Sequence, residues 1–409
     1  MINVKMNLLN NYRITRLRKT NFNLKNLLKR IKIIKFMIII VLNYLFFIKN
    51  SIYKIPFYIN KYKYLIEEDN RNITWEKGLS YINKCLTGNI INKNINFSKI
   101  YKISVIIPVF NANKTIAYSI KSIQNQILTD FEIILVNDYS NDNSKEIIEN
   151  LKKNDSRIKI INNSKNMGTL YSRCIGVLSA KGKYIFSLDN DDMFFTNDLF
   201  YTIYQYQEKT NFDIIVFHSV FSNKYFPKLE DLRSGPYSHK HNLIVYQPAL
   251  VRFIENDVLV WTKSIKTNIY QKSVNIMGKN IYSTYLSWAE DACIMFIIFK
   301  VARSLTYIKK YGVFHIVAKF CASSRQSLDQ ILFGDLFLCN IIFHFSRKKD
   351  INVIIMHFIT NLARYYKDFG KHKAYIKNLL NKILKSNYIT LKNKKEIKTK
   401  LSKFNLFDK

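Results

Sequence analysis

Three carboxylates crowd into four positions of the stretch SLDNDDMF, Ser187 to Phe194, where Asp189, Asp191 and Asp192 follow the apolar run KYIF. The chain around them is basic, with 64 Lys and Arg against 29 Asp and Glu. The cluster is therefore not a sample of a generally acidic composition. Acids packed together at the end of a strand repel one another, and a divalent cation relieves that repulsion. A second acidic pair, Glu290-Asp291, stands directly before the apolar stretch ACIMFIIF. There it favours a helix start through the helix dipole.

A scaffold must bring such groups together, and its elements are legible around the acids. ISVIIPVF, Ile103 to Phe110, is a continuous β-branched run that suits a strand buried on both faces of a parallel sheet. The segment from Asn113 to Ile127 predicts a helix with Ile116, Ile120, Ile123 and Ile127 on one face and Asn113 as its cap. A second strand, EIILVN, leads through the polar turn DYSNDNS into a helix on which Ile147, Ile148 and Leu151 share a face, with Asn143 and Glu146 at capping-box spacing. RIKIIN is the third strand, and NSKNMG leads into a helix from Thr169 to Ala180. KYIFSL is the fourth strand. Fourfold alternation of strand and helix predicts an α/β fold with a Rossmann-like, doubly wound, mostly parallel sheet, helices on both faces, and a ligand site at the carboxyl ends of the strands. Phe110-Asn111, Asn137-Asp138, Asn166 to Gly168 and Asp189 to Asp192 all fall at such ends.

SVIIPVFN, VNDYSNDNS, NMGTLYSR and FSLDNDD, in this order, resemble the inverting, nucleotide-sugar-dependent family 2 glycosyltransferases of the GT-A fold, over about Lys102 to Arg325. That resemblance implies roles residue by residue. Phe110 would stack on the donor base, Asp138 would accept a hydrogen bond from it, and Arg173 would face the nucleotide, where a guanidinium can pair with a diphosphate. Asp189, Asn190 and Asp191 would form the D-x-D motif. Asp191 would bind Mn2+ or Mg2+ directly, with Asp189 or Asn190 nearer the ribose or a metal-bound water. Asp291 would be the general base that takes the acceptor hydroxyl's proton, with Glu290 beside it as a supporting or acceptor contact. Trp261 and Lys263 would line the acceptor side. His315, on VFHIV, reads first as a satisfied strand histidine, although some relatives place an extra metal or diphosphate ligand there. CASSRQS, Cys321 to Ser327, would be the closing loop, with Arg325 near phosphate. The Q-x-x-R-W signature of processive members is absent after Asp291, which favours transfer of a single sugar.

The expected activity is thus metal-dependent, inverting transfer of one sugar from a nucleotide-diphosphate donor, most simply a UDP-sugar, to a hydroxyl on a glycan, lipid or protein acceptor. A sugar-phosphate nucleotidyltransferase is the rival enzyme class, but it usually carries an early glycine-rich phosphate loop. Neither a Walker loop nor G-x-G-x-x-G is present. The net charge of +35 raises a second rival, a basic membrane- or nucleic-acid-associated protein retaining the fold. Lys, Asn, Ile and Tyr are spread evenly, however, as A/T-rich codons would produce, so no nucleic-acid partner is expected. The five cysteines are scattered among apolar neighbours, without disulfide or zinc spacing.

Four regions follow. Residues 1–49 join a basic stretch to FMIIIVLNYLFFI, Phe36 to Ile48, a possible signal anchor. This run is shorter than the roughly 20 residues that cross a bilayer, so a tilted span would recruit Ile31, Ile33 and Ile34. An in-plane or buried helix is the alternative. No small-residue cleavage signal follows, so a removable signal peptide is not expected. A span would give a single-pass type II protein with an ER- or Golgi-like lumenal domain in a eukaryote. Otherwise a peripheral membrane or cytoplasmic location is expected. Residues 50–100 read as a stem or accessory segment with sequons at Asn72 and Asn96. Residues 101–325 hold the GT-A domain, and 326–409 form a helical C-terminal extension.

Overall fold

The structure is a computed structural model that describes residues 71–87, 101–224, 227–234, 244–246, 258–316 and 328–345. The expected signal anchor, the Asn96 sequon, the loop bearing Arg325 and most of the C-terminal extension lie outside the described residues. Among the described residues, no helix is long and apolar enough to cross a membrane.

Helix α1 (Arg71–Thr87) precedes β1 (Ile103–Val109), α2 (Ile116–Gln124), β2 (Phe131–Asn137), α3 (Ser144–Asn154), β3 (Ile158–Asn162), α4 (Thr169–Ser179) and β4 (Tyr184–Ser187). The chain continues through β5 (Met193–Phe194), α5 (Leu199–Thr210), β6 (Ile214–Ser222), β7 (Arg233–Ser234) and β8 (Ile244–Tyr246). Last come β9 (Lys263–Lys266), α6 (Thr267–Met277), α7 (Lys279–Tyr282), α8 (Glu290–Val301), β10 (Ser304–Ile316) and α9 (Leu328–Phe345). The ten strands make one sheet of order β3-β2-β1-β4-β9-β6-β10-β5, with β7 on β6 and β8 on β10.

The first four strands are parallel, as their unbroken apolar runs predict, and every residue of β1 and β2 is buried. Beyond β4 the sheet is mixed, because β9 runs antiparallel to both β4 and β6. Alternation along β4 divides the two cores. Ile185 joins Leu170, Cys174 and Val177 of α4, Tyr270 and Val274 of α6, and most of α8. Phe186 points the other way and meets the rings of Phe194, Phe200 and Phe217. Helices thus cover both faces, and the fold is the expected α/β class.

Local details differ from the sequence expectation. Helix α2 starts at Ile116 with Thr115 at its N-cap position, not Asn113, whose backbone N–H instead donates to Asp142 Oδ2. It ends at Gln124, which leaves Ile127 58% exposed. Asn143 stands at the N-cap position of α3 without a side-chain cap bond, and Asp142 Oδ1 accepts from the Ser144 N–H instead. Helix α8 is buried nearly all round from Ala292 to Phe299, because α6, α4 and α9 surround it. Cys85, Cys174 and Cys293 are buried free thiols. Helix α1 packs Trp75, Ile82, Cys85 and Leu86 against Met193, Phe195 and Phe314, and so supports the strand that follows the acidic cluster.

Candidate active site

Strand register gathers the predicted residues. Val109 of β1 lies opposite Asn137 of β2, and Ile106 lies opposite Ser187 of β4. The next residues, Phe110, Asp138 and Leu188 to Asp192, therefore leave the sheet at one edge. Two bonds tie them together there: Asp138 N–H donates to Val109 O (2.8 Å) and Asn190 Nδ2 donates to Pro108 O (3.0 Å). Asn190 is thereby engaged in holding the D-x-D loop to β1. Phe110 is 39% exposed at this edge.

The acid pair at the start of α8 reaches the same edge through Arg173. This arginine lies on α4, 1% exposed, and its Nη1 donates to Asp291 Oδ1 at 2.6 Å while Nη2 donates to Asp189 Oδ1 at 2.9 Å. Burial disfavours its charge, but Asp291 and Asp189 more than restore it, so the guanidinium is held protonated beyond its usual range. Both terminal nitrogens of Arg173, expected to face a diphosphate, meet carboxylates in this structure. Its terminal nitrogens join the first acid of the D-x-D motif to the acid pair, since a cation buried on α4 is stable only when carboxylates close around it. Asp291 Oδ2 accepts from the Val260 N–H (3.1 Å), and its side chain is 17% exposed. Each oxygen keeps a further lone pair for an incoming hydroxyl.

Negative charge is in excess here. Burial raises the Asp189 carboxyl, and Asp291 and Asp191 raise it further against the pull of Arg173. Burial, then Asp291, pushes Glu290 up as well. Among the described residues, no three His, Cys, Asp or Glu side chains form a metal cage. Mg2+ and similar hard cations, however, are often held by one or two carboxylates, with water and substrate phosphate completing the shell. Asp189, its carboxyl raised by burial, and Asp191 are neighbouring carboxylates of that chemical type.

Asp138 has a different surrounding from the one expected. It is 3% exposed, and its oxygens accept from Asn163 Nδ2 (2.7 Å), Met167 N (2.8 Å) and Gly168 N (2.8 Å). Gly168, at φ 90°, occupies a conformation that L side chains rarely adopt, and it starts α4, whose N-terminal amides attract a carboxylate. Asp138 thus anchors the loop that leads to Arg173. Asp138→Ala should cost about 2 kcal/mol, since hydrogen bonds to a charged acceptor are the stronger kind. Chemical denaturation midpoints measure this, and an unchanged midpoint would contradict the anchoring role.

Trp261 and Lys263 part company. Trp261 is 7% exposed and stacks on His315 with ring centroids 5.1 Å apart. Lys263 is wholly buried in β9, with Nζ donating to Leu259 O and Thr262 Oγ1, so it does not line an open acceptor face. A central antiparallel strand leaves no solvent side there. His315 is more than a satisfied strand residue, because its Nδ1 lies 2.8 Å from Asp192 Oδ1 and its ring faces the acidic cluster. Burial disfavours its charge, but Asp192, then Asp189 and Asp191, outweigh that and raise its pKa to about 9. The folded value lies above the unfolded value of about 6.5, so while Asp192, itself raised by burial, stays ionised, the His315 contribution is present below pH ~6.5 and is lost as pH rises through about 9. The melting temperature should fall across that window, and less so in His315→Gln. Parallel curves for the two proteins would refute the pairing.

Backbone strain marks the same edge. Of the four non-glycine residues with positive φ among the described residues, Asn111, Tyr139 and Ala289 adjoin Phe110, Asp138 and Glu290. Strain of this kind concentrates at functional sites. The spacing of apolar residues carries no signal for it.

Comparison with known proteins bears on the family and the fold. The model for glycosyl transferase family 2 matches residues 104–265. TarP of Staphylococcus aureus strain N315, a poly(ribitol-phosphate) β-N-acetylglucosaminyltransferase, is 30% identical over 236 residues, 56% of this chain and 67% of that one. An uncharacterised glycosyltransferase of Rickettsia bellii is 39% identical over 142 residues, 34% of this chain and 19% of that protein. The GalNAc(5)-diNAcBac-PP-undecaprenol β-1,3-glucosyltransferase of Campylobacter jejuni is 41% identical over 92 residues, 22% of this chain and 30% of that enzyme. The chain spans well under half the length of these last two. In fold, it is similar to S. aureus TarS 1–349 in complex with UDP-GlcNAc, with a TM-score of 0.58 at 16% identity over 75% of this chain and 89% of that one. A chain whose matched segment contains β1 to β4, the strands that end at the acids, and that pairs with 67% of TarP at 30% identity, belongs to glycosyl transferase family 2.

Proposed function

We propose that the chain transfers a single sugar from a UDP-sugar to an acceptor hydroxyl with inversion, and that Asp291 is the base. The observation that carries this reading is the half-open carboxylate of Asp291, held by Arg173 and the Val260 N–H within one ion-pair chain of the D-x-D acid Asp189. A base so placed takes the hydroxyl proton while the acceptor oxygen attacks the sugar carbon from the side opposite the diphosphate. Glu290, its carboxyl pushed upward, would contact the acceptor or donor sugar as a hydrogen-bonding neighbour.

On the donor side, Phe110 offers a ring for the base, with Asp138 near it as the expected acceptor of a base N–H. Asp191, with Asp189, would hold Mn2+ or Mg2+, which when bound would neutralise charge on the diphosphate leaving group. Asn190 would keep that loop on β1. UDP-GlcNAc is the first donor to try, because TarS was solved with it and TarP is named for N-acetylglucosaminyl transfer. The acceptor would be a glycan, lipid-linked saccharide or protein hydroxyl. Residues 31–48 would place the enzyme at a membrane, to be tested by carbonate extraction; recovery in the soluble fraction would refute anchoring.

The test is a mass-spectrometric screen of UDP-sugars for UDP release, with and without Mn2+, on the full chain. Metal-dependent release from one donor is expected. Absence of release from every donor, with UDP unbound in calorimetry, would overturn the reading.

A further inference from the structure

Helix α9 lies beyond the sheet and supplies nothing to the chemistry above, yet its contacts converge on the loop that carries the acid pair. Asp335 Oδ1 accepts a hydrogen bond from Trp288 Nε1 at 3.2 Å. One residue earlier, Gly334 approaches the Trp288 backbone so closely that an added Cβ would stand 2.3 Å from its carbonyl oxygen. Glycine inside a helix costs about 1 kcal/mol relative to alanine. Its presence in the middle of α9 therefore fits a position where no Cβ has room. Farther along α9, Phe337, Leu338, Ile341 and Ile342 pack into the core cluster that contains α8. The helix thus grips both the residue before the acid pair and the helix after it.

Between Trp288 and Glu290 stands Ala289, at φ 63° and ψ 11°. A left-handed non-glycine residue costs about 1–3 kcal/mol and persists only where its surroundings over-determine it. The anchored Trp288 on one side and the body of α8, buried from Ala292 onward, on the other are those surroundings. The two residues that emerge from this turn are Glu290 and Asp291.

We propose that α9 is a positioning element for the transfer reaction: Asp335 and Gly334, through Trp288, hold the left-handed turn at Ala289 and so aim the Asp291 carboxylate. This rests on the assignment of Asp291 as base. Asp335 touches no reacting atom and acts through Trp288.

The test uses the full chain and compares wild type with Asp335→Ala, Asp335→Asn and Gly334→Ala. UDP affinity is measured by calorimetry with Mn2+, alongside single-turnover transfer. Asp335→Ala and Gly334→Ala should lower turnover by about 10²-fold, the usual effect of a reacting group displaced by about 1 Å. UDP affinity should stay within about threefold of wild type, because that loss is one of geometry at the base alone. Asp335→Asn keeps an oxygen acceptor for the indole N–H and should retain most of the turnover. Should Asp335→Ala not fold, Trp288→Phe, which removes the donor but keeps a ring, takes its place with the same expectation. Normal turnover in these variants, an equal loss of UDP affinity, or failure of Asp335→Asn to rescue would overturn the inference. Absence of transfer by the wild type would overturn the proposed function itself, and this inference with it.

Discussion

Asp291→Asn should lower single-turnover transfer by about 10²–10⁴, the usual worth of general-base catalysis, while UDP and metal affinity hold. The separation follows from position. Asp291 lies on α8, across Arg173 from the D-x-D loop, so its basicity bears on the acceptor proton rather than on the donor. Asparagine has one side-chain oxygen, which can accept from Arg173 Nη1 or from the Val260 N–H but not both, so the variant loses its basicity together with one of these two bonds. If Asp291 served only as a structural partner of Arg173 at the helix start, the same change would lower stability while turnover barely moved. Calorimetry, thermal melting and quenched-flow turnover on one variant decide between the two. A near-normal rate would move the base to Glu290.

Arg173→Met should produce the largest stability loss, about 3–5 kcal/mol, the cost of breaking a buried ion pair from one side. Removal of the guanidinium strands Asp189 and Asp291 beside Asp191 and Glu290, with no cation between them. Two observations separate this from a surface diphosphate contact: Arg173 is 1% exposed, and both its terminal nitrogens are taken up by carboxylates. Denaturant midpoints should therefore fall without any nucleotide present. A variant with wild-type stability and only weakened UDP binding would restore the diphosphate assignment. Arg173→Lys should recover part of the stability and little of the turnover, since one ammonium cannot supply two fixed N–H donors to acids on different elements.

Much of the candidate site was legible because strand ends are legible. Unbroken apolar runs mark β1, β2 and β4, and a parallel sheet puts the carboxyl ends of such strands together, so Phe110, Asp138, Asn190 and Asp189 to Asp192 were expected at one edge before any geometry was known. The bonds among Val109, Pro108, Asp138 and Asn190 are the physical form of that expectation. What each side chain does at that edge was less legible. Arg173 reads from the sequence as a diphosphate contact, and its role as an internal clamp is not legible there, because partner spacings of 16 and 118 residues carry no periodic signal.

By itself, then, the sequence determined the α/β class, the order of the first four strand-helix units, the edge at which the acids collect and the family to which the motifs point. These depend on local apolar periodicity and on short motifs, both of which are written residue by residue. Tertiary structure alone decided that the sheet turns mixed at β9, that Lys263 is interior, that His315 pairs with Asp192, and that Arg173 spends its charge on Asp189 and Asp291. It also decided that Ala289 is left-handed and that α9 stands against Trp288. The reason is common to all of them. Each depends on which distant groups meet in a closed interior, where burial makes an unpaired charge or polar group costly, and that pairing exists only once the chain has closed around it.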